Sequence, residues 1–280
     1  MPALVAAAIF VVAALVRRDA ALALVILGVL FIAWERLAPL HPQPVLRRGF
    51  ATDAVHFVAD ELIAAPGVAI GLIIGLHLSD ALVPAAVREA VTGQADVVKW
   101  LEALVLAELC GYWGHRLEHQ SPFLWRFHKL HHSIPVLDWL APNRRHPVDL
   151  MVARLSVALP LLALGFSVPV LAAHFVIRRF QGLFVHANLR VSLGPLRWFV
   201  ASPEFHHWHH ASDPAGYNTN FAGEVPLVDW LFGTLYLPRH QWPEAYGTGD
   251  DVPDGYLAQL AWPFKGTRAE VPAVSLRWRW

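Results

Sequence analysis

The sequence predicts an all-α protein, a polytopic membrane helical bundle carrying a histidine-rich helical cap on its cytosolic side. Three observations predict it. Hydrophobic residues make up 56% of the 280 positions against 16% charged, and mean hydropathy is +0.42, which is the composition of a polytopic membrane protein. The apolar residues are gathered into long blocks. At the end of one block stands HRLEHQSPFLWRFHKLHH, five imidazoles within the eighteen residues from His115 to His132, a density that packing alone rarely produces.

The blocks follow in order. Ala3 to Val16 precedes Arg17 and Arg18, the reverse of a signal peptide, and reads as a retained span or half-hairpin. With Ala20 to Trp34 it is short of the ~20 residues of a perpendicular crossing, so the pair forms a shallow hairpin or borrows flanking residues. Glu35 to Asp53 is a loop, and Thr52 or Asp53 caps a third block running to about Leu78. Inside that block Gly67, Gly71 and Gly75 make one smooth stripe for a neighbouring helix. Ser79 to Asp96 is polar. A fourth block, Val97 to Gly114, has Trp100 and Trp113 near its ends, as interfacial aromatics require, and continues unbroken into His115. Val148 to Ala173, interrupted by Pro160, Gly165 and Pro169, predicts a helical hairpin. From Arg178 the chain turns amphipathic and then polar, and from about Pro238 it reads as a peripheral wrap.

Counting crossings puts Glu35 to Asp53, His115 to Pro147 and everything after Arg178 on one face. That face holds Arg36, Arg47, Arg48, Arg116, Arg126, Lys129, Arg144, Arg145, Arg178 and Arg179, and is therefore cytoplasmic. Arg17 and Arg18 fall on the other side unless the first two blocks do not fully cross. Net charge is zero, with 22 basic and 22 acidic residues, so nothing points to nucleic acid. The single cysteine, Cys110, excludes an intrachain disulfide and a cysteine zinc site.

His115 and His119 lie one turn apart on one helical face. Ser121 and Pro122 read as an N-cap and a first-turn proline, starting a second helix on which His128, His131 and His132 repeat the pattern. Ser202-Pro203-Glu204 starts a third, where His206, His209 and His210 share an arc of about 100°; His207 lies farther round, and Trp208 is packing. Eight neutral imidazoles buried together would each leave donors and acceptors unmet, at roughly 1 to 3 kcal/mol per unmade bond. Metal ions satisfy them at once, and this number of nitrogens fits two ions better than one. His186 is favoured as a ninth ligand. His146 is a ligand or an outer donor, His174 is structural within a span, and His41, His56, His77 and His240 are ordinary polar residues. Asp138, Asp149 and Asp229 stand where a carboxylate could orient an imidazole's second nitrogen, and the sequence does not rank them. Imidazole suits zinc, copper, iron and nickel alike. A paired site beside a bilayer, without HExxH, a Ser-His-Asp order or a nucleotide loop, suits oxygen activation on an alkyl chain better than hydrolysis.

HRLEH, FHKLHHS and FHHWHH, with the intervening RRHP and HANL and the trailing DWLFGTLYLP, resemble the fatty acid hydroxylase and sterol desaturase superfamily of membrane di-iron enzymes, over about Trp100 to Phe264. The resemblance implies two non-heme irons held by His115 and His119, by His128, His131 and His132, and by His206, His209 and His210, with His186 as the additional histidine ahead of the third box. Gln120 stands where relatives often have an acid. Residues 1–99 are then N-terminal spans and loops, 100–264 the catalytic domain and 265–280 a tail. The implied reaction uses dioxygen to hydroxylate an unactivated C–H bond of a lipid; desaturation and ether-lipid monooxygenation are the alternatives within the class. No flavin, nicotinamide or heme signature is present, so electrons come from a separate ferredoxin or cytochrome with its reductase. A histidine-lined metal transporter would place its ligands within the spans, whereas these boxes follow them.

Overall fold

The computed structural model describes residues 22, 25–239 and 241–265. The block Ala3 to Val16, His240 and the tail beyond 265 lie outside the described residues. Among those described there is no strand, only two isolated β-bridges, Pro39 with Leu189 and Ala211 with Tyr246. The all-α expectation is met. The helices are α1 (25–37), α2 (Phe50–Leu82), α3 (Ala85–Thr92), α4 (Asp96–Gln120), α5 (Pro122–His132), α6 (Pro147–Ala163), α7 (Val168–His186), α8 (Pro203–His209), α9 (Leu227–Leu231) and α10 (Tyr256–Ala261).

Helix α2 starts earlier than the sequence suggests. Its N-cap is Gly49 at φ 84°, a left-handed conformation that glycine adopts without strain. Thr52 and Asp53 do not cap it. Asp53 is fully buried and is taken instead by Arg47 at 2.8 Å and Arg144 at 2.6 Å, while Asp138 accepts from Nε and the shared Nη2 of Arg47 at 2.8 and 2.6 Å. Two arginines and two aspartates thus fasten the start of α2 to the loop after α5. A buried carboxylate left without those cations would be far more costly than a missing cap.

The glycine stripe is a packing surface. A Cβ on Gly67, Gly71 or Gly75 would run into Met151, Leu155 or Leu159 of α6 respectively, so α2 and α6 approach at backbone distance. On its other side α6 sends Val157, Ala158 and Leu161 against Ala103 and Ala107 of α4 and Val170 and Leu171 of α7. Cys110 is partly buried beside this cluster. The region expected as a hairpin breaks once. Pro160 is tolerated inside α6, Gly165 at φ 97° makes the turn, and Pro169 falls in the first turn of α7.

Helix α4 runs 25 residues without interruption and delivers HRLEH at its end. Ser121 then caps α5, its Oγ accepting the Leu124 N–H at 3.4 Å, with Pro122 in the first turn, as the sequence predicts. Above the helices a second apolar core joins Phe31 and Trp139, stacked at 6.1 Å, to Tyr112, Leu183, Phe205 and Phe221. It locks the ends of α1, α4 and α7 to α8.

Two of the described helices, α2 and α7, are long and apolar enough to cross a membrane. Helix α4 is interrupted by Asp96, Lys99, Glu102 and Glu108, and α6 is 17 residues long, which separates both from a standard span. Exposed apolar side chains run along α2 (Ile70, Ile73, Ile74, Leu78) and α7 (Val176, Ile177, Phe180), the pattern of surfaces that face lipid rather than water.

Candidate metal centre

The three helical faces meet. His115 and His119 from α4, His128 and His132 from α5 and His209 from α8 form one group of five. His131 from α5, His186 from the end of α7, and His206 and His210 from α8 and its cap form a second group of four. Within each group the candidate ligand nitrogens all lie within 4.8 Å of one another. The two groups touch through His132 and His210, whose rings stack at 4.3 Å. Neighbours on one helix are divided between groups, because adjacent residues are turned by about 100°.

Hydrogen bonds at the far nitrogens decide what the near ones present. His115 Nδ1–H donates to the Phe221 carbonyl at 2.8 Å, His209 Nδ1–H to the Thr219 carbonyl at 2.7 Å, and His128 Nδ1–H to the Asp149 carboxylate at 3.0 Å. A neutral imidazole with its proton at Nδ1 has only a lone pair at Nε2. Yet His115 Nε2 lies 3.2 Å from His128 Nε2 and 3.1 Å from His209 Nε2. Lone pairs at that distance repel, and no hydrogen bond between them is available. In the group of four, His186 Nδ1–H donates to the Gly182 carbonyl at 2.7 Å, while its Nε2 faces those of His131, His210 and His206 at 3.2, 3.1 and 3.1 Å. A cation at the centre resolves the conflict in the group of five, and in the group of four three Nε2 atoms crowd the single lone pair of His186, more than hydrogen bonding alone can serve, so the residues fit a pair of metal ions.

Burial reinforces this. It pushes His209 down to about 3, and with help from neighbouring imidazoles it holds His131, His132, His206 and His210 well below the usual histidine range. The rings are neutral at physiological pH, the form in which imidazole binds metal. Among the nine, His115 alone is half-buried.

The structure ranks the three aspartates. Asp149 orients an imidazole directly and is itself held by Arg145 at 2.7 Å through both oxygens. Asp138 serves Arg47. Asp229 touches no imidazole; its carboxylate accepts the N–H groups of Phe221 and Ala222 at 2.8 and 2.7 Å and the Thr234 hydroxyl at 2.6 Å. Glu118, which lies off the His115 face, is buried with its carboxylate 3.7 Å from His128 Nδ1. Gln120 is exposed.

Other histidines stand apart from both groups. His146 caps α6, accepting the Val148 N–H at 3.1 Å through Nδ1 and donating from Nε2 to the Leu260 carbonyl at 3.2 Å; its ring is engaged at both ends. His207 donates to the Ala187 carbonyl at 3.1 Å and accepts from the Tyr246 hydroxyl at 2.8 Å, which His41 also bonds at 3.1 Å. His56 lies between Asp60 and Gln259, His174 is buried within α7, and His77 is exposed. The carbonyl acceptors at Thr219 and Phe221 are the site components that sequence reasoning missed. Backbone oxygens carry no residue signature, and the only signal was the pair of asparagines at positions 218 and 220, which adopt φ 56° and 57°.

Comparison with known proteins finds relatives over part of the chain. An ornithine lipid hydroxylase of Rhizobium tropici is 37% identical over 161 residues, 58% of this chain and 49% of that protein. An alkylglycerol monooxygenase of Danio rerio is 30% identical over 136 residues, 49% of this chain and 30% of that protein. A very-long-chain aldehyde decarbonylase of Arabidopsis thaliana is 24% identical over 169 residues, 56% of this chain and 26% of that protein. The matched part thus spans about half the length of the first relative and less than a third of the other two. No solved structure matches the chain. The family model for fatty acid hydroxylases matches residues 100–234, the stretch from the start of α4 through all nine clustered histidines to Thr234, and over this stretch, a little under half of its length, the chain is similar to the fatty acid hydroxylase family.

Proposed function

We propose that the protein is a membrane-bound, non-heme di-iron oxygenase that hydroxylates an unactivated C–H bond of a lipid. The observation that carries this reading is the convergence of imidazole nitrogens into two adjoining groups, five and four histidines strong, with the far nitrogens of His115, His128, His209 and His186 tied to carbonyl or carboxylate acceptors. Hydrolytic zinc sites use three protein ligands and an open position, and nine imidazoles exceed that need. When bound, the irons would supply dioxygen activation and hydrogen abstraction. The balanced reaction converts R–H, O2, two electrons and two protons to R–OH and water, with the electrons delivered by a separate ferredoxin or cytochrome.

The chain's own residues have three tasks. The histidines would hold the ions, and Asp149, Thr219 and Phe221 fix the tautomers of His128, His209 and His115. Burial of eight of the nine rings keeps bulk water from the reacting centre, which favours a reaction on an alkyl chain over loss of oxidising equivalents to solvent. Exposed apolar side chains along α2 and α7 suit a bilayer crossed by these helices and further segments, from which a lipid would arrive, with the metal centre on the cytoplasmic side.

The ornithine lipid hydroxylase relative favours a polar lipid as the substrate. The alkylglycerol monooxygenase relatives support a second reading, oxygen insertion beside an ether oxygen. Lipid mass spectrometry of cells with and without the protein separates them: a polar lipid heavier by one oxygen supports the first, and loss of alkyl ether lipids the second. No change in any lipid of cells that supply iron and a ferredoxin system would overturn both.

A further inference from the structure

We infer that residues 218–225 form an acceptor strap dedicated to the five-histidine group, and that Asp229 is its positioning residue. This rests on the reading that the histidine groups bind metal.

The strap supplies two far-nitrogen acceptors, the carbonyls of Thr219 for His209 and Phe221 for His115. The Phe221 ring also packs edge-on against His115, His119 and His209, with centroids 5.7, 5.1 and 5.8 Å away. Three of the five ligands therefore lean on one residue. A carbonyl fixes a tautomer only if its peptide cannot turn away, and this segment belongs to no helix or strand. It is held by side chains instead. Asn220, in the left-handed region, donates to the carbonyls of Phe205 and Tyr236 at 2.8 and 2.7 Å. Glu108 of α4 accepts the N–H groups of Glu224 and Val225 at 3.1 and 2.9 Å. Asp229 grips the centre, one oxygen on the N–H of Phe221 and the other on that of Ala222.

Asp229 is fully buried and satisfied by neutral donors, the two peptide N–H groups and the Thr234 hydroxyl. That hydroxyl pairs with Tyr112 at 2.9 Å, whose oxygen accepts from Arg116 at 3.0 Å. A buried carboxylate with neutral partners is costly to keep, and what it organises here is the peptide that His115 and Phe221 share. The four-histidine group has no such support. His186 donates within its own helix, and the Nδ1 atoms of His131 and His210 have no partner. Disturbing the strap should therefore loosen one ion and spare the other.

The test uses the full chain, purified in lipid nanodiscs and loaded with iron, with chelator competition and Mössbauer spectra recorded for the unaltered protein and for Asp229→Asn. Asparagine keeps the shape but turns one acceptor into a donor facing a peptide N–H. The expected result is unchanged helical content, one ion weakened 10- to 100-fold as for other outer-sphere changes, and one spectral component retained. Combining it with His209→Ala should add little, since both act on the same ion. If the aspartate variant does not fold, Thr234→Val removes only the hydroxyl partner and should weaken the same ion. Two ions held with unaltered affinity, or equal loss of both, overturns the strap's role. Unaltered protein that binds no iron overturns the metal reading itself, and is seen before any variant is made.

Discussion

Replacing Asp149 with asparagine should detach one ion without unfolding the protein. The carboxylate is 2% exposed, accepts the His128 proton at 3.0 Å and binds Arg145 twice at 2.7 Å. Oδ1 serves both His128 and Arg145 Nη2 while Oδ2 serves Arg145 Nε, so with the asparagine's amide nitrogen turned toward Arg145 Nε that arginine loses an acceptor, and with it in the place of Oδ1 His128 loses its partner. Breaking one side of a buried charge pair costs about 3 to 5 kcal/mol. The lower end applies here, because the Arg145 side chain is 23% exposed and Glu118 remains 4.0 Å away. For the metal the consequence is a tautomer. Without Asp149, His128 is free to carry its proton on Nε2, the atom that lies 3.2 and 3.1 Å from the His115 and His132 nitrogens. The five-histidine group then has one donor lone pair fewer and an N–H aimed at its centre. A 10- to 100-fold loss of affinity, about 1.4 to 2.8 kcal/mol, is expected. Chelator competition on loaded protein measures it. Asp138→Asn is the control, since Asp138 is equally buried but binds Arg47 and no imidazole; it should lower the melting temperature and leave both ions in place. Equal metal loss from the two variants, or none from Asp149→Asn, would refute the tautomer reasoning.

Further outcomes follow from the same geometry. His131→Ala should weaken an ion, whereas His146→Ala and His207→Ala should lower thermal stability and leave two ions per chain by elemental analysis. Metal-free protein should lose stability as pH falls below ~6.5, because burial puts His207 and His209 at about 3. The unfolded chain binds a proton at each that the fold refuses, about 1.4 kcal/mol per pH unit per group. Asp229, pushed up to about 6 by burial, opposes this with one group of the other sign, so a melting temperature that rises toward acid would count against the histidine shifts. Gly71→Leu should cost about 1 to 3 kcal/mol by forcing α2 away from Leu155. Gly182→Ala, whose Cβ meets nothing within 4 Å, should be neutral or stabilising in a denaturant titration.

Local features were legible in the sequence, and distant ones were not. Helical spacing placed His115 with His119 and gathered the second and third histidine sets, and the Ser121-Pro122 start of α5 is in the structure as expected. The glycine triplet announced close packing and delivered it. Missing were the partners fixed only when the chain folds back. Asp53 looks like a cap until Arg144, 91 residues away, takes it. Asp138, Asp149 and Asp229 were indistinguishable until the loop after α5, the start of α6 and the strap were placed. The carbonyl that serves His115 comes from 106 residues downstream. Spacing also could not divide nine ligands into five and four, since that depends on how α5 and α8 are rotated against each other.

That rotation has a consequence for how the chain tolerates change. Helices α5 and α8 each feed both histidine groups, so their register matters as much as their composition. One residue inserted between Phe123 and His128 would swing His128, His131 and His132 through about 100°, withdrawing ligands from both centres while leaving every side chain type intact. Substitution can cripple one ion at a time; insertion or deletion in these two short helices removes the pair together.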